Sequence, residues 1–322
     1  MNRRELLLSF TMAICCSGMM LTGCSSDDAP GNNEGQGGSP YIARVYEYVP
    51  APGQFVNQLP EYKEGDNAQT ILEKVNKALC NNARELVTLG GLGGYVTVGF
   101  DHKVENKPGK CDFRVLGNAF SDSSEPGIIM VSVDTNGDGL PNDEWYEIAG
   151  SAYHDATGEE WYEEAVKGGN DMKSRHNYSI TYYRPQNDDS DIVWEDSEGT
   201  RGKMVKNRYH QQSYYPMWIG NEILSFEGIS CLPQNSIKVP NPKPTSDEDK
   251  YIYHLKPFTF GYADNMPNTD SASEIDIDWA VDRNGNKVYL EHIDFIRIYT
   301  GVNMSNGWIG ESSTEVMGVE VL

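Results

Sequence analysis

Gly90-Gly91-Leu92-Gly93-Gly94-Tyr95-Val96-Thr97-Val98-Gly99-Phe100 decides the fold. Four glycines around Leu92 make a turn. The run that follows is built from β-branched and aromatic residues, which suit a pleated, half-buried surface. The same punctuation recurs outward. Residues 41–48, 86–89, 113–116, 128–133 and 145–148 read as strands between clusters of Gly, Pro, Asn and Asp. After Tyr178 the pattern continues over 179–183, 192–195, 222–226, 251–254, 288–290 and 295–299, while 232–249, with four prolines, reads as a loop. One helix is expected from a capping box with Asp66 at N-cap and Gln69 at N3. Ile71, Leu72, Val75 and Leu79 fall on one face of it, and Asn81-Asn82 ends it. A second is expected near 159–166. With no internal repeat and no linker between 41 and 322, the expectation is one domain over 41–322. Its class is all-β, a jelly-roll β-sandwich with one or two short inserted helices.

The N-terminus has the layout of a lipoprotein export signal. Asn2-Arg3-Arg4 is followed by an apolar run from Leu6 to Met20 and then by Leu21-Thr22-Gly23-Cys24. A basic start and an apolar stretch of this length, ending in small residues, read as a cleavable leader over 1–23 rather than a membrane span. Similarity to such signals implies lipidation of Cys24. The acidic run Ser25-Ser26-Asp27-Asp28 resembles a surface-export tag of Bacteroidota lipoproteins. Residues 24–40 hold a Gly/Asn/Pro-rich stretch with the character of a flexible tether, reaching roughly 20–25 Å. The expected location is the outer membrane at the cell surface, held by lipid.

The chain carries a net charge of −22. Such a surface repels phosphate backbones, so nucleic acid is excluded as a partner. Of the six cysteines, Cys15 and Cys16 lie in the leader and Cys24 takes lipid. Cys80, Cys111 and Cys231 allow at most one disulfide, of unspecified pairing, and show no zinc spacing.

The strongest motif is Asp134-Thr135-Asn136-Gly137-Asp138-Gly139-Leu140, followed by Pro141-Asn142-Asp143-Glu144. Oxygen ligands at Asp134, Asn136 and Asp138, the Leu140 carbonyl and a glycine at the sixth position form the first half of an EF-hand-type calcium loop. Position twelve is Trp145, so Asp143 or Glu144 must complete the shell, and strands flank the loop in place of helices. The expectation is a hairpin tip around a structural Ca²⁺; the competing reading is a polar turn. Asp282, Asn284 and Asn286 imitate the spacing more weakly, and Asn284-Gly285 is also a common hairpin signal. Asp276 and Asp278 would share a strand face.

Tyr209, His210, Gln211, Tyr214, Tyr215 and Trp218 combine flat apolar area with hydrogen-bonding edges, suited to a sugar or flat ligand, or to anchoring a loop in the core. Tyr182-Tyr183-Arg184 and Trp308 are further candidates for that surface. Hydrolase, metalloprotease, P-loop and dinucleotide motifs are missing from the sequence, and the six histidines are scattered.

Pro50 to Asn57, Leu89 to Val96, Asp112 to Phe120, Glu125 to Val131 and Asp294 to Thr300 together resemble a family of Bacteroidota surface lipoproteins. These carry the label "cell surface protein" or, loosely, PKD-domain-containing. The W-D-F-G-D-G-type motif of a true PKD domain is missing. The resemblance implies a galactose-binding-like jelly roll and association with TonB-dependent transporters, including those for corrinoids. The resulting expectation is a calcium-supported, surface-anchored protein that captures a glycan or corrinoid for an uptake system. The alternatives are a polysaccharide hydrolase using Asp/Glu pairs, or a structural or adhesive surface protein.

Overall fold

Alternation in the strand Tyr95–Glu105 places Val96, Val98 and Val104 on one buried face. In the computed structural model, which describes residues 38–188, 190–247 and 249–322, this strand pairs with Arg44–Val49 on one side and His292–Thr300 on the other. Gly127–Ser132, Trp145–Ile148 and Ala280–Val281 extend the sheet to six strands, every neighbouring pair antiparallel. The leader, Cys24 and the tether up to residue 37 lie outside the described residues.

Both faces of this sheet are covered. On one, Val96, Val98, Ile129, Val131, Ile296 and Ile298 pack with the helix α1 (Ala68–Leu79) and with Phe113, Val115, Val316 and Val319. The last four come from a three-stranded sheet, Glu274–Ile275, Phe113–Leu116 and Gly318–Val321, and from the pair Val87–Thr88 and Glu315–Val316. On the other face Ile128 and Tyr299 meet Trp161, Leu232, Ile237, Phe258 and Tyr262. The protein is therefore an all-β sandwich, and the unbroken apolar run 128–131 reflects a strand buried from both sides.

The chain leaves the sheet after Ile148 and returns at Ala280, which pairs with Ile148 itself. The excursion between them carries α2 (Tyr162–Gly168) and the hairpin Ser236–Pro240 with Tyr251–Leu255. It also carries a four-stranded antiparallel sheet in the order Ile223–Cys231, Arg175–Tyr183, Ile192–Asp196, Arg201–Met204. It shares one compact unit, Gly37–Leu322, with the sandwich.

Several local expectations change. The capping box of α1 sits one residue later. Asn67 Oδ1 accepts from the N–H of Gln69 (2.9 Å) and Thr70 (3.1 Å), and the Thr70 hydroxyl accepts from Asn67 N–H. Asp66 is engaged instead by Lys74 Nζ and the Lys63 amide, which removes it as a cap. Asn81 and Asn82 end the helix in left-handed conformation, with φ 54° and 62°. The prolines of 232–249 do not prevent a strand at Ser236–Pro240, because Pro240 occupies the last ladder position. Residues 288–290 form no strand, and the Leu290 carbonyl is taken by Asn106 Nδ2. Asp276 and Asp278 do not share a strand face; Asp276 caps a single 3₁₀ turn, Ile277–Trp279. Cys80, Cys111 and Cys231 are all free thiols. No described helix is long and apolar enough to cross a membrane.

Candidate functional site

A hollow of about 720 Å³ opens where the excursion meets the segment after Phe113–Leu116. Trp161, Pro257 and Phe258 form its floor, with Met266 and Pro267 beside them. Phe120 stands on its lip with 64 % of its surface exposed. Asp122, Glu160, Glu164 and Lys256 supply the rim, and the buried Glu159 lies on its inner wall.

Backbone geometry explains why these residues converge. Phe120 and Ser123 exchange backbone hydrogen bonds (3.3 and 2.9 Å), closing a tight turn in which Asp122 takes a positive φ of 61°. Asp264 Oδ1 accepts the amides of Asn118 (2.8 Å) and Ala119 (2.9 Å), fixing the approach to Phe120. Asn265 pairs with both backbone groups of Phe258 at 2.7 Å, and Trp161 Nε1 donates to the Pro257 carbonyl at 2.8 Å. The floor is thus locked by hydrogen bonds from buried side chains, a preformed arrangement.

Electrostatically the cleft is acidic. Asp122 is paired with Lys256 Nζ (2.5 Å) and lies 3.1 Å from His254 Nδ1; the Lys256 hydrogen bond holds its carboxyl below the usual range. Glu159 receives Ser151 Oγ (2.6 Å) and Thr259 N–H (3.3 Å) on Oε1 and Thr259 Oγ1 (3.0 Å) on Oε2. Among the described residues no cation forms an ion pair with Glu159, Glu160 or Glu164. Three carboxylates therefore face the cleft uncompensated, an arrangement favouring neutral or cationic ligands.

The residues singled out from sequence fall elsewhere. Asp134, Asn136, Asp138 and Leu140 form the exposed tip of the hairpin between Gly127–Ser132 and Trp145–Ile148. Asp134 Oδ1 accepts from Gly137 N–H (2.8 Å) and Asp138 N–H (3.2 Å), and its Oδ2 from Gly139 N–H (2.9 Å), with Gly137 and Gly139 both at φ 74°. Asp138 accepts from the Leu140 amide (2.8 Å) and Asn142 Nδ2 (2.9 Å), and Glu144 accepts from the Tyr146 hydroxyl (3.1 Å). Asp143 receives the Thr135 hydroxyl on one oxygen, while its Oδ2 is buried with no partner. Among the described residues no group of three His, Cys, Asp or Glu side chains is gathered closely enough to hold a metal. The oxygen-rich loop, two left-handed glycines and orphaned Asp143 Oδ2 fit a calcium ion, provided amide and carbonyl oxygens supply part of the shell. Asp282 accepts the amides of Asn284 and Asn286 (both 2.8 Å) and Asn286 Nδ2 (3.0 Å), holding a closed hairpin turn.

The aromatic segment splits. Tyr214 and Tyr215 are 1 % exposed, and burial pushes both phenols up to about 12. The Arg184 guanidinium covers the Tyr215 ring at 4.2 Å, and Tyr182 is equally buried. Trp218 stacks between Tyr48 (6.2 Å) and Tyr62 (6.3 Å). These residues anchor the loop and offer no free ring face. Tyr209 and Gln211 remain exposed, and His210 packs edge-on against Phe55 at 4.7 Å. Gln54 joins this loop to the turn bearing Trp308, accepting from Asn207 Nδ2 (2.8 Å) and donating to the Ile309 carbonyl (2.8 Å).

Sequence reading missed Phe120, Glu159, Trp161, Lys256 and Thr259. Phe120 alone carried a signal, as an aromatic placed past the Gly117-Asn118 break, beyond the end of its strand. The others converge only through the excursion's path. No protein-family model matches the chain, and comparison with curated proteins finds no match.

Proposed function

We propose that the chain is a surface-anchored binding protein that captures a neutral or amine-bearing glycan in the cleft beside Phe120. The observation that carries this reading is the phenyl ring of Phe120, 64 % exposed over a hollow floored by Trp161, Pro257 and Phe258. An exposed aromatic face takes the C–H face of a sugar ring, and a polar rim takes its hydroxyls. The uncompensated Glu159, Glu160 and Glu164 oppose ligands bearing phosphate or sulfate, including a corrinoid with its phosphodiester. The leader and Cys24 support display at the outer membrane through lipid, where a TonB-dependent transporter is the fitting recipient. Ca²⁺ at Asp134, Asn136, Asp138, the Leu140 carbonyl, Asp143 and Glu144 would stiffen a hairpin away from the cleft.

A glycan array followed by calorimetry tests the reading. Phe120→Ala is expected to weaken binding by about tenfold, the worth of roughly one ring-stacking contact. Its thermal stability should stay near wild type, because an exposed ring contributes little burial. Wild-type protein that retained only anionic glycans, or none, would overturn the proposal. Release of reducing ends that Glu159→Gln abolished would establish a hydrolase in its place.

A further inference from the structure

A second hollow, about 420 Å³, adjoins the first. Tyr153, His154, Gly158 and Phe260 line it, and it shares Glu159 and Thr259 with the larger hollow. The two are therefore separated by a single partition. Its exposed crest is Thr259, and beneath the crest the buried Glu159 carboxylate is held by Ser151 and Thr259. Gly158 adds no side chain to this partition and is itself exposed. Each hollow has one aromatic ring open to it, the exposed Phe120 in the first and the half-buried Phe260 in the second, with Phe260 braced at 4.7 Å by Trp279 and the buried Trp161 and Tyr153 behind them. One pocket of this kind holds a compact ligand, whereas two aromatic-walled hollows across a low polar crest match a ligand whose flat apolar units repeat along a chain.

Resting on the glycan-binding reading, we infer that the ligand is a linear oligosaccharide lying across the Thr259 crest, with different sugar units seated in the two hollows. The Thr259 hydroxyl lies at the crossing point and Glu159 beneath it, where they meet ring hydroxyls or an amine of the unit that spans the partition. Joining two modest sites through one chain makes the second contact intramolecular, so affinity grows with length until both hollows are filled.

Gly158 provides a clean test. A Cβ built there meets no atom within 4 Å, and its φ lies outside the left-handed region, so Gly158→Trp adds bulk at the lining of the second hollow without backbone strain. The probes are ladders of one to six units built from glucose, xylose, N-acetylglucosamine and glucosamine, titrated by calorimetry. For wild type, four units of at least one ladder are expected to bind about fivefold or more tightly than one unit, since a further ring contact is worth roughly 1 kcal/mol or more. Gly158→Trp should remove that gain, while Phe120→Ala should weaken every length. Affinity independent of length, or a length gain that survives Gly158→Trp, overturns the two-hollow ligand while leaving glycan capture in place. Absence of wild-type binding along every ladder overturns both readings.

Discussion

Four carboxylates, Glu125, Asp264, Glu311 and Glu315, are drawn together without a cation among the described residues. Desolvation raises all four, and mutual repulsion adds to it for Glu125 and Glu315; Glu311 is pushed up to about 7. Their partners are neutral: Gln54 N–H donates to Glu311 Oε1 (2.6 Å), Thr88 and Ser313 hydroxyls to Glu315, and Ser313 N–H to Glu125. Glu311 Oε2 has no partner. A group whose folded pKa exceeds its unfolded value contributes stability below the unfolded value and loses it as pH rises through the folded one. Stability should therefore be greatest near the ordinary carboxylate range and fall as pH rises through about 7. Exposed acids such as Asp101 and Asp138 shift the other way but are screened by solvent. Glu311→Gln keeps an acceptor for Gln54 and removes a buried charge. It should stabilise the protein on the order of 2 kcal/mol at pH 8 and hardly at all at pH 5, read from thermal melts at both values. Equal effects at the two values would contradict this account. None of this was visible in the sequence, where these acids look like any others, because only the packing of the Glu315–Val316 strand against the core brings them together.

At the scale of the element, the hairpin tip at 134–144 and the capping of α1 make separate predictions. If the tip binds calcium, saturation at a hundredfold over Kd should add about 2.7 kcal/mol, a rise of several degrees over protein treated with chelator. Asp134→Ala should abolish the rise, and a rise that survived that change would move the cation elsewhere. Asn67→Ala should cost about 1 kcal/mol in a denaturant melt, the worth of an N-cap that accepts from the amides of Gln69 and Thr70. The contrast between Asp66 and Asn67 explains what was legible. Periodicity located α1 and the strands around Tyr95, Phe113 and Trp145 to within a few residues. It placed the cap at Asp66 where the adjacent Asn67 serves, because both side chains can do so and a lysine eight residues onward decides. Ser236–Pro240 was hidden by prolines that matter only inside a ladder. Residues 288–290 had strand composition, but their pairing stops at the Val288 N–H to Ala280 carbonyl bond (3.0 Å) and the Val281–Lys287 bridge.

On the scale of the whole molecule, the all-β class followed from turn punctuation repeated along the chain. The return of the chain at Ala280 to the strand it left at Ile148 could not be read locally, since pairing over that span has no sequence signature. The cleft depends on that return. One wall comes from the segment after Phe113–Leu116 and the others from the excursion, so its residues are far apart in sequence. The aromatic segment 207–218 drew attention because its residues are adjacent, and most of its rings turned out to be core. On this reading an oligosaccharide binds at Phe120 and not at Tyr209. A crystal structure soaked with the tightest-binding oligosaccharide tests this most directly. Sugar density against the Phe120 ring, continuing over Thr259 toward Phe260, is the predicted result; density on the Tyr209–Gln211 loop with the Phe120 cleft filled only by solvent would contradict it.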